Sequence, residues 1–264
     1  MKRSRLPLIT LLLVLGFFYL PVGYFVANSF NASAFGTTWE GFTWHWYARL
    51  WEKRELWVAC QNSLVVAAWA AGTSMVLGTL SAFALHRWAK SRLQRAHRAL
   101  VMTPLVVPDI LMGMSLLALF VSLGAELGLA TISVAHITFC LSYVALVVLA
   151  RLQDFDFTLL DAARDLGAGR WTAARRVFLP LLAPGILAGG LLAFTLSIDD
   201  FVITFFVSGP GSGTLPVRVY SMMKRSRDLP VINALSTLLL ALTFLIVFAS
   251  QYLTNRNPSA AQKP

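Results

Sequence analysis

Residues 131–150 read TISVAHITFCLSYVALVVLA, twenty positions without a lysine, arginine, aspartate or glutamate. An α-helix of about 20 apolar residues crosses the roughly 30 Å hydrocarbon core of a bilayer. The whole chain of 264 residues has the same character, with 57% hydrophobic and only 13% charged residues and a mean hydropathy of +0.68. Soluble domains carry about 25% charged residues. The composition therefore indicates an integral membrane protein.

Further apolar stretches lie on both sides of this run. They span 6–27, 56–85, 99–123, 184–207 and 231–253. Backbone polar groups in lipid must pair with one another, and long runs containing glycine and alanine suit packed helices better than the alternating ten-residue strands of a barrel. We predict an all-α integral membrane protein with six transmembrane helices in a single domain, 1–264.

The first stretch has a second interpretation. Lys2, Arg3 and Arg5 precede a leucine-rich run, as in a secretory signal peptide. The apolar run exceeds the 7 to 15 residues usual for a signal peptide. A retained signal anchor is therefore the favoured interpretation.

The basic residues predict the orientation. The chain has a formal net charge of +10, and its lysines and arginines are dispersed beside the helix ends, which suits anionic lipid better than nucleic acid. Most of them fall on the cytoplasmic side if both termini are cytoplasmic. The exception is an outer cluster, Arg218, Lys224, Arg225 and Arg227.

Signals for chemistry within the chain are weak. Cys60 and Cys140 lie within predicted helices and indicate neither a disulfide nor a metal site. The glycine-rich segment 209–214 lacks the lysine of a P-loop, so we expect no ATP site in this chain. The histidines have no metal-ligand spacing, and they are His45, His86, His97 and His136. We expect no catalytic residue and no metal site.

The loop between the fourth and fifth stretches carries a spaced motif. Its fixed positions are Asp161-Ala162-Ala163, then three residues, Gly167, nine residues, Val177, one residue, and Leu179-Pro180. This pattern resembles the Glu-Ala-Ala loop of ABC importer permeases. Two positions depart from the usual form, Asp161 for glutamate and Val177 for isoleucine, and both keep the chemistry.

The residues of this loop also predict its local structure. We expect a short helix over 158–166, with Asp161 in the first turn where a carboxylate meets the positive end of the helix dipole. Gly167 can end that helix in a left-handed cap. A second helix over 170–178 is then predicted to end at Pro180.

The resemblance implies the role of the loop. The fold would be the bundle of a type I ABC importer permease, and loop 151–182 would be the cytoplasmic coupling loop that sits in a cleft of the ATP-hydrolysing subunit. The residues at that contact would be Asp161, Ala162, Ala163, Gly167, Arg170, Leu179 and Pro180. The alternative is an ordinary basic loop lying on lipid headgroups.

Resemblance to one branch of these permeases covers nearly the whole chain. It rests on segments 39–47, 62–67, 104–109 and 193–202, which look like the second permease of putrescine and spermidine importers. It implies a polyamine substrate and a multi-pass subunit of the bacterial cytoplasmic membrane. It also implies an ATPase dimer that binds ATP and Mg²⁺, a homologous second permease and an extracytoplasmic solute-binding protein.

Acidic residues inside apolar stretches are the candidates for substrate recognition. Asp109, Asp199 and Asp200 lie within the third and fifth stretches, where an ionisable side chain costs about 2.5 to 3.5 kcal/mol on insertion scales and usually faces a pathway or a partner. Aromatic rings that could flank ammonium groups are Phe194, Phe201 and Phe205. Alternatively these phenylalanines face lipid, and Asp109 after Pro108 caps a kinked segment.

The tryptophan-rich outer segment, 39–57, predicts an amphipathic helix on the membrane interface, or a docking surface for the binding protein. Other function classes stay open. An ABC permease could carry an amino-acid derivative, an opine or a metal chelate. A secondary transporter would be larger, with repeated halves, and would have no need of the spacing from Asp161 to Pro180. An intramembrane enzyme would need a nucleophile or metal cluster.

Overall fold

A computed structural model describes residues 6–35, 38–88, 92–224 and 229–256. Within these ranges the chain is helical apart from short connections and an isolated β-bridge between Asn31 and Phe42. The helices are α1 (Leu6–Asn28), α2 (His45–Glu52), α3 (Arg54–Arg87), α4 (Arg92–Val106), α5 (Asp109–Ser122), α6 (Leu129–Gln153), α7 (Thr158–Asp165), α8 (Arg170–Ala173), α9 (Leu179–Asp199), α10 (Val202–Val207), α11 (Leu215–Met223) and α12 (Leu229–Arg256). The predicted all-α fold is confirmed.

The helices form two compact units. One consists of 57–218 and contains the candidate site. The other combines the described residues of 1–56 and 219–264.

The core of the unit 57–218 is built around α6. Val144 on this helix is fully buried, and glycines of two other helices lie against it. A Cβ added at Gly78 of α3 would lie 2.8 Å from Val144 Cβ, and one at Gly189 of α9 would lie 3.3 Å from Val144 Cα. Small residues at these positions let the helix backbones approach closely.

In the other unit, α1 and α2 both pack on α12. The turn after α1 is held by Asn31, whose Nδ2 donates to Thr38 O at 2.7 Å and whose Oδ1 accepts from the backbone N–H of Glu40 at 2.9 Å. Trp46 Nε1 donates to Asn31 O at 2.6 Å. Within the tryptophan-rich segment, α2 is a short helix of 8 residues. Trp46 and Leu50 on this helix are buried, whereas Trp51 is exposed.

Four helical segments are long and apolar enough to cross a membrane, namely 7–28, 54–87, 129–153 and 170–199. The pair α4 and α5 would make a fifth if the two are one span. The described apolar part of α12 is shorter, Leu229–Leu245. A multi-pass chain is confirmed, whereas the number six stays a prediction.

The third stretch, expected as one helix over 99–123, is broken by a bend of 115° between α4 and α5. Pro108 lies at the break with φ −58° and ψ 137°. Proline has no N–H to donate and disfavours a helical conformation at Val107, so the helix stops and a new one begins at Asp109.

The fifth stretch, expected as one helix over 184–207, is also broken. Helix α9 ends at Asp199, Asp200 is extended with φ −65° and ψ 126°, and α10 begins at Val202. The Asp200 carboxylate accepts hydrogen bonds from the first turn of α10 and so stabilises a fresh helix start.

The first part of loop 151–182 has the local structure that the sequence predicted. Helix α7 covers Thr158–Asp165, and Gly167 follows with φ +87°. The N–H of Gly167 donates to Arg164 O at 2.8 Å and that of Ala168 to Ala163 O at 3.0 Å. This pair of bonds is the Schellman motif, in which glycine supplies the left-handed residue.

The prediction that Pro180 ends the second helix is wrong. Helix α8 continues through a π-helical turn, Ala174–Phe178, directly into α9, and the apolar segment runs unbroken over 170–199. Leu179 N–H donates to Ala174 O, five residues back. The wider turn accommodates the proline ring and its missing donor, so the helix need not stop.

Part of the basic pattern behind the predicted orientation lies outside the described ranges, including the whole N-terminal cluster. The residues concerned are Lys2, Arg3, Arg5, Lys90, Arg225, Arg227 and Lys263. The cytoplasmic placement of the termini therefore stays a prediction.

Candidate functional site

The two helix breaks lie beside one cavity within the unit 57–218. Its volume is about 330 Å³. Side chains from α4, α5, α6, α9, the second break and α10 line it, and they are Pro104, Asp109, Phe139, Tyr143, Thr195, Leu196, Asp199, Asp200, Phe201, Val202 and Ile203. Helix ends rather than helix faces therefore supply its charges.

Asp109 and Asp199 are the open carboxylates of this cavity. Asp109 is the first residue of α5 and Asp199 the last of α9, and both are exposed. Neither side-chain carboxylate has a hydrogen-bond or ion-pair partner among the residues that the structure describes. Two carboxylates in one partly closed cavity form an anionic surface suited to a cationic ligand.

Asp200 is in a different position from its neighbour. Its side chain is only 10% exposed. Oδ2 accepts from Thr204 N–H and from the Thr204 hydroxyl, both at 2.8 Å, and Oδ1 lies 3.3 Å from Ile203 N. The carboxylate thus lines the cavity while its oxygens cap α10.

His136 joins this capping arrangement from α6. It is fully buried, with Nδ1 at 2.7 Å from Ser197 Oγ and Nε2 at 2.9 Å from Thr204 Oγ1 and 3.3 Å from Asp200 Oδ2. Sequence reasoning missed this role because the partners lie 61 to 68 positions away. The available signal was a histidine inside the run 131–150, which has no lysine, arginine, aspartate or glutamate.

The aromatic candidates are divided. Phe201 lines the cavity, and its ring centroid lies 5.5 Å from that of Phe205. Phe205 and the half-buried Phe194 are not among the lining residues. Phe139 and Tyr143 of α6 line the cavity instead, and the sequence patterns did not single them out.

The residues predicted at the ATPase contact lie between α7 and the start of α9. Six of them are exposed and Ala163 is half-buried, and the exposed ones are Asp161, Ala162, Gly167, Arg170, Leu179 and Pro180. The Asp161–Arg164 ion pair, at 3.2 Å, is solvent-exposed and contributes little. Leu166 and Trp171 are 89% and 73% exposed and add apolar surface that the motif did not predict.

An aromatic cluster anchors this loop to the spans. The ring of Phe155 lies 4.9 Å from Phe157 and 5.3 Å from Phe178, Phe178 lies 5.6 Å from Phe83 of α3, and Phe157 stacks on His86. These ring contacts join the loop after α6 to α3 and to the π-helical turn that leads into α9.

Comparison with known sequences matches residues 63–257 to the family "Binding-protein-dependent transport system inner membrane component". The spermidine/putrescine transport system permease protein PotC of Haemophilus influenzae is 39% identical over 257 residues, 97% of this chain and 99% of that protein. The putrescine transport system permease protein PotI of Escherichia coli K12 is 41% identical over 260 residues, covering 96% and 92%.

Solved structures share the fold at lower identity. A chain of a bacterial ABC transporter that imports alginate aligns with a TM-score of 0.70 at 16% identity, over 94% of this chain and 98% of that one. A chain of the MetNI methionine ABC transporter aligns with a TM-score of 0.59 at 21% identity, covering 77% and 94%. The family match over most of the length and the near-full-length relatives agree with the resemblance of the loop motif. This chain belongs to the binding-protein-dependent transport system inner membrane components, the permeases of ABC importers.

Proposed function

We propose that this chain is a permease subunit of an ATP-driven importer of polyamines, with putrescine and spermidine as the substrate class. The observation that carries the proposal is the cavity at the two helix breaks, where Asp109 and Asp199 have no partner among the described residues. The names of the PotC and PotI relatives support the same substrate class.

The chemistry of the cavity suits a slender cation. A carboxylate pairs with an alkylammonium group through charge-assisted hydrogen bonds, which are about twice as strong as neutral ones. The rings of Phe201 and Tyr143 line the same space and can contact an ammonium group or the methylene chain. A polyamine has two or more ammonium groups on an apolar chain and can use both kinds of surface.

The exposed loop after α6 is proposed to couple this chain to the ATPase. The α7 helix, the Gly167 turn and α8 form a compact projection, and exposed Leu166 and Trp171 give it apolar contact area. Because α8 continues into α9 without a stop, a push on the projection moves the segment that ends at Asp199. Nucleotide-driven closure could therefore open and close the cavity in alternating access.

The partners follow from this assignment. Two ATP-binding subunits would hold ATP and Mg²⁺, a homologous permease would supply the other half of the pathway, and an extracytoplasmic solute-binding protein would deliver the polyamine. We place the chain in the bacterial cytoplasmic membrane with both termini cytoplasmic, and we expect no cofactor, metal site or catalytic residue in this chain. Permeases for amino-acid derivatives, opines or metal chelates are the alternative.

The test begins with the cognate solute-binding protein, whose affinity for putrescine and spermidine is measured by calorimetry. Uptake of the bound solute is then measured in a strain lacking this chain, with and without the restored gene. Restoration of polyamine uptake supports the proposal. Restored uptake of another solute, with no polyamine uptake, overturns the substrate assignment and leaves the permease role intact.

A further inference from the structure

His136 is a buried side chain that bridges the two halves of the broken fifth stretch. Its Nδ1 lies 2.7 Å from Ser197 Oγ on α9, and its Nε2 lies 2.9 Å from Thr204 Oγ1 on α10. The extended residue between these helices, Asp200, lies 3.3 Å from the same Nε2. One imidazole on α6 thus contacts the helix before the break, the break itself and the helix after it.

The hydrogen-bond directions place a proton on Nε2 of His136. Thr204 Oγ1 donates its only proton to Asp200 Oδ2 at 2.8 Å, so this hydroxyl can only accept from His136. The ring therefore carries a proton on Nε2, and Nδ1 is hydrogen-bonded to the Ser197 hydroxyl. Every polar atom of the ring is then satisfied inside the core.

The arrangement leaves Asp200 little capacity for a ligand. Its Oδ2 already faces two donors of Thr204 and the imidazole, and its Oδ1 faces the Ile203 N–H. Asp199, one residue earlier, is exposed to the cavity. The two adjacent carboxylates therefore differ in role, with one fixing the backbone and the other open.

We propose that His136 is a positioning residue of the permease, which locks Asp200 across the helix break and thereby presents Asp199 to the ammonium group of the substrate. His136 does not contact the substrate in this scheme. The proposal deepens the polyamine assignment and rests on it for the identity of the cation. The role in positioning Asp199 is a property of the chain alone.

Two amide substitutions at His136 distinguish the contributions of its two ring nitrogens. In His136→Gln the side-chain NH₂ reaches the place of Nε2 and can still donate toward Thr204 and Asp200. In His136→Asn the amide ends near the place of Nδ1 and can serve only Ser197. Thermal unfolding of the purified complex identifies any variant that fails to fold, and the Gln variant keeps the size of the side chain.

The first readout needs no substrate. Asp199→Cys is made in a chain whose own Cys60 and Cys140 are replaced by serine, and the complex is labelled with a cationic thiol reagent. We expect the labelling rate at position 199 to stay within about twofold of the reference with His136→Gln. It should fall roughly fivefold with His136→Asn, the equivalent of one lost hydrogen bond. Equal rates in both variants overturn the proposal.

The second readout uses polyamine uptake with the natural aspartate at position 199. His136→Asn should raise the apparent KM about tenfold and His136→Gln should restore it. In an Asp200→Asn background His136→Asn should add little, because both changes act through one contact. Multiplicative effects of these two changes overturn the positioning role. Absence of polyamine uptake by the wild type refutes the proposed function, and the labelling rates then decide the role of His136.

Discussion

Replacing Gly167 by valine is expected to uncouple the projection from the spans. Gly167 has φ +87°, and an added Cβ there would meet nothing within 4 Å. Steric contact of the valine side chain with neighbours therefore plays no part. The free-energy cost comes from holding a β-branched residue in the left-handed backbone conformation. A left-handed residue with a Cβ costs about 1–2 kcal/mol, and β-branched residues adopt it least readily.

That energy acts on the turn between α7 and α8. Two hydrogen bonds, Gly167 N–H to Arg164 O and Ala168 N–H to Ala163 O, form only while residue 167 is left-handed. A penalty of 1–2 kcal/mol reduces the ratio of closed to open turns by roughly 5- to 30-fold. We expect the number of polyamine molecules carried per ATP hydrolysed to fall about fivefold or more.

The assay is transport and ATP hydrolysis measured together on the reconstituted complex. Gly169→Val is the matched control, since Gly169 has φ −64° and ψ 160° and open space at its Cβ position. Gly167→Asn should be intermediate, because asparagine tolerates the left-handed region. A wild-type transport ratio in Gly167→Val, or an equal loss in Gly169→Val, would refute the reasoning.

Three further changes test the fold. Gly78→Ala should lower the free energy of unfolding by about 1–3 kcal/mol, because the added Cβ would lie within 3 Å of the fully buried Val144. Gly72→Ala in the same helix has open space and should be neutral or stabilising. Thermal unfolding in detergent compares the two variants. Asn31→Ala should cost about 1–3 kcal/mol in the same unfolding assay, because it leaves the N–H of the buried Ser33 without its acceptor. Hydrogen bonds from Thr158 lower the pKa of the Asp156 carboxyl, so their stabilisation is present above the ordinary pKa and is lost as the pH falls through the lowered one. Thr158→Val should return that pKa toward its ordinary range in an NMR titration.

Local sequence signals predicted the features that depend on local physics. Apolar runs predicted four long helices of the described chain that could cross a membrane, because a backbone in lipid must form its hydrogen bonds within one segment. The glycine at 167 marked a left-handed cap since few other residues adopt that conformation. Asp161 falls in the first turn of α7 as expected.

Features that depend on partners distant in sequence could not be predicted. Pro180 was expected to end a helix, but the π-helical turn before it accommodates the ring, and no local signal marks such a turn. The break at Asp200 has no proline and is instead held by hydrogen bonds to α10 and by His136. Adjacent positions on a helix point about 100° apart, so the sequence predicts that only one of Asp199 and Asp200 faces the pathway. Which of the two carboxylates is open and which is capped followed only from the three-dimensional arrangement.

The central claim is that Asp109 and Asp199 together recognise the cationic substrate in the cavity at the helix breaks. The most direct measurement is the initial rate of putrescine and spermidine uptake against concentration for the wild type, each Asp→Asn single variant and the double variant, at matched membrane levels. Each single change should raise the apparent KM about tenfold, the loss of one charge-assisted hydrogen bond, and the double variant should lose saturable uptake. Glu126→Gln, a charge removed outside the cavity lining, should leave the KM unchanged. A double variant that transports polyamine with the wild-type KM would contradict the account.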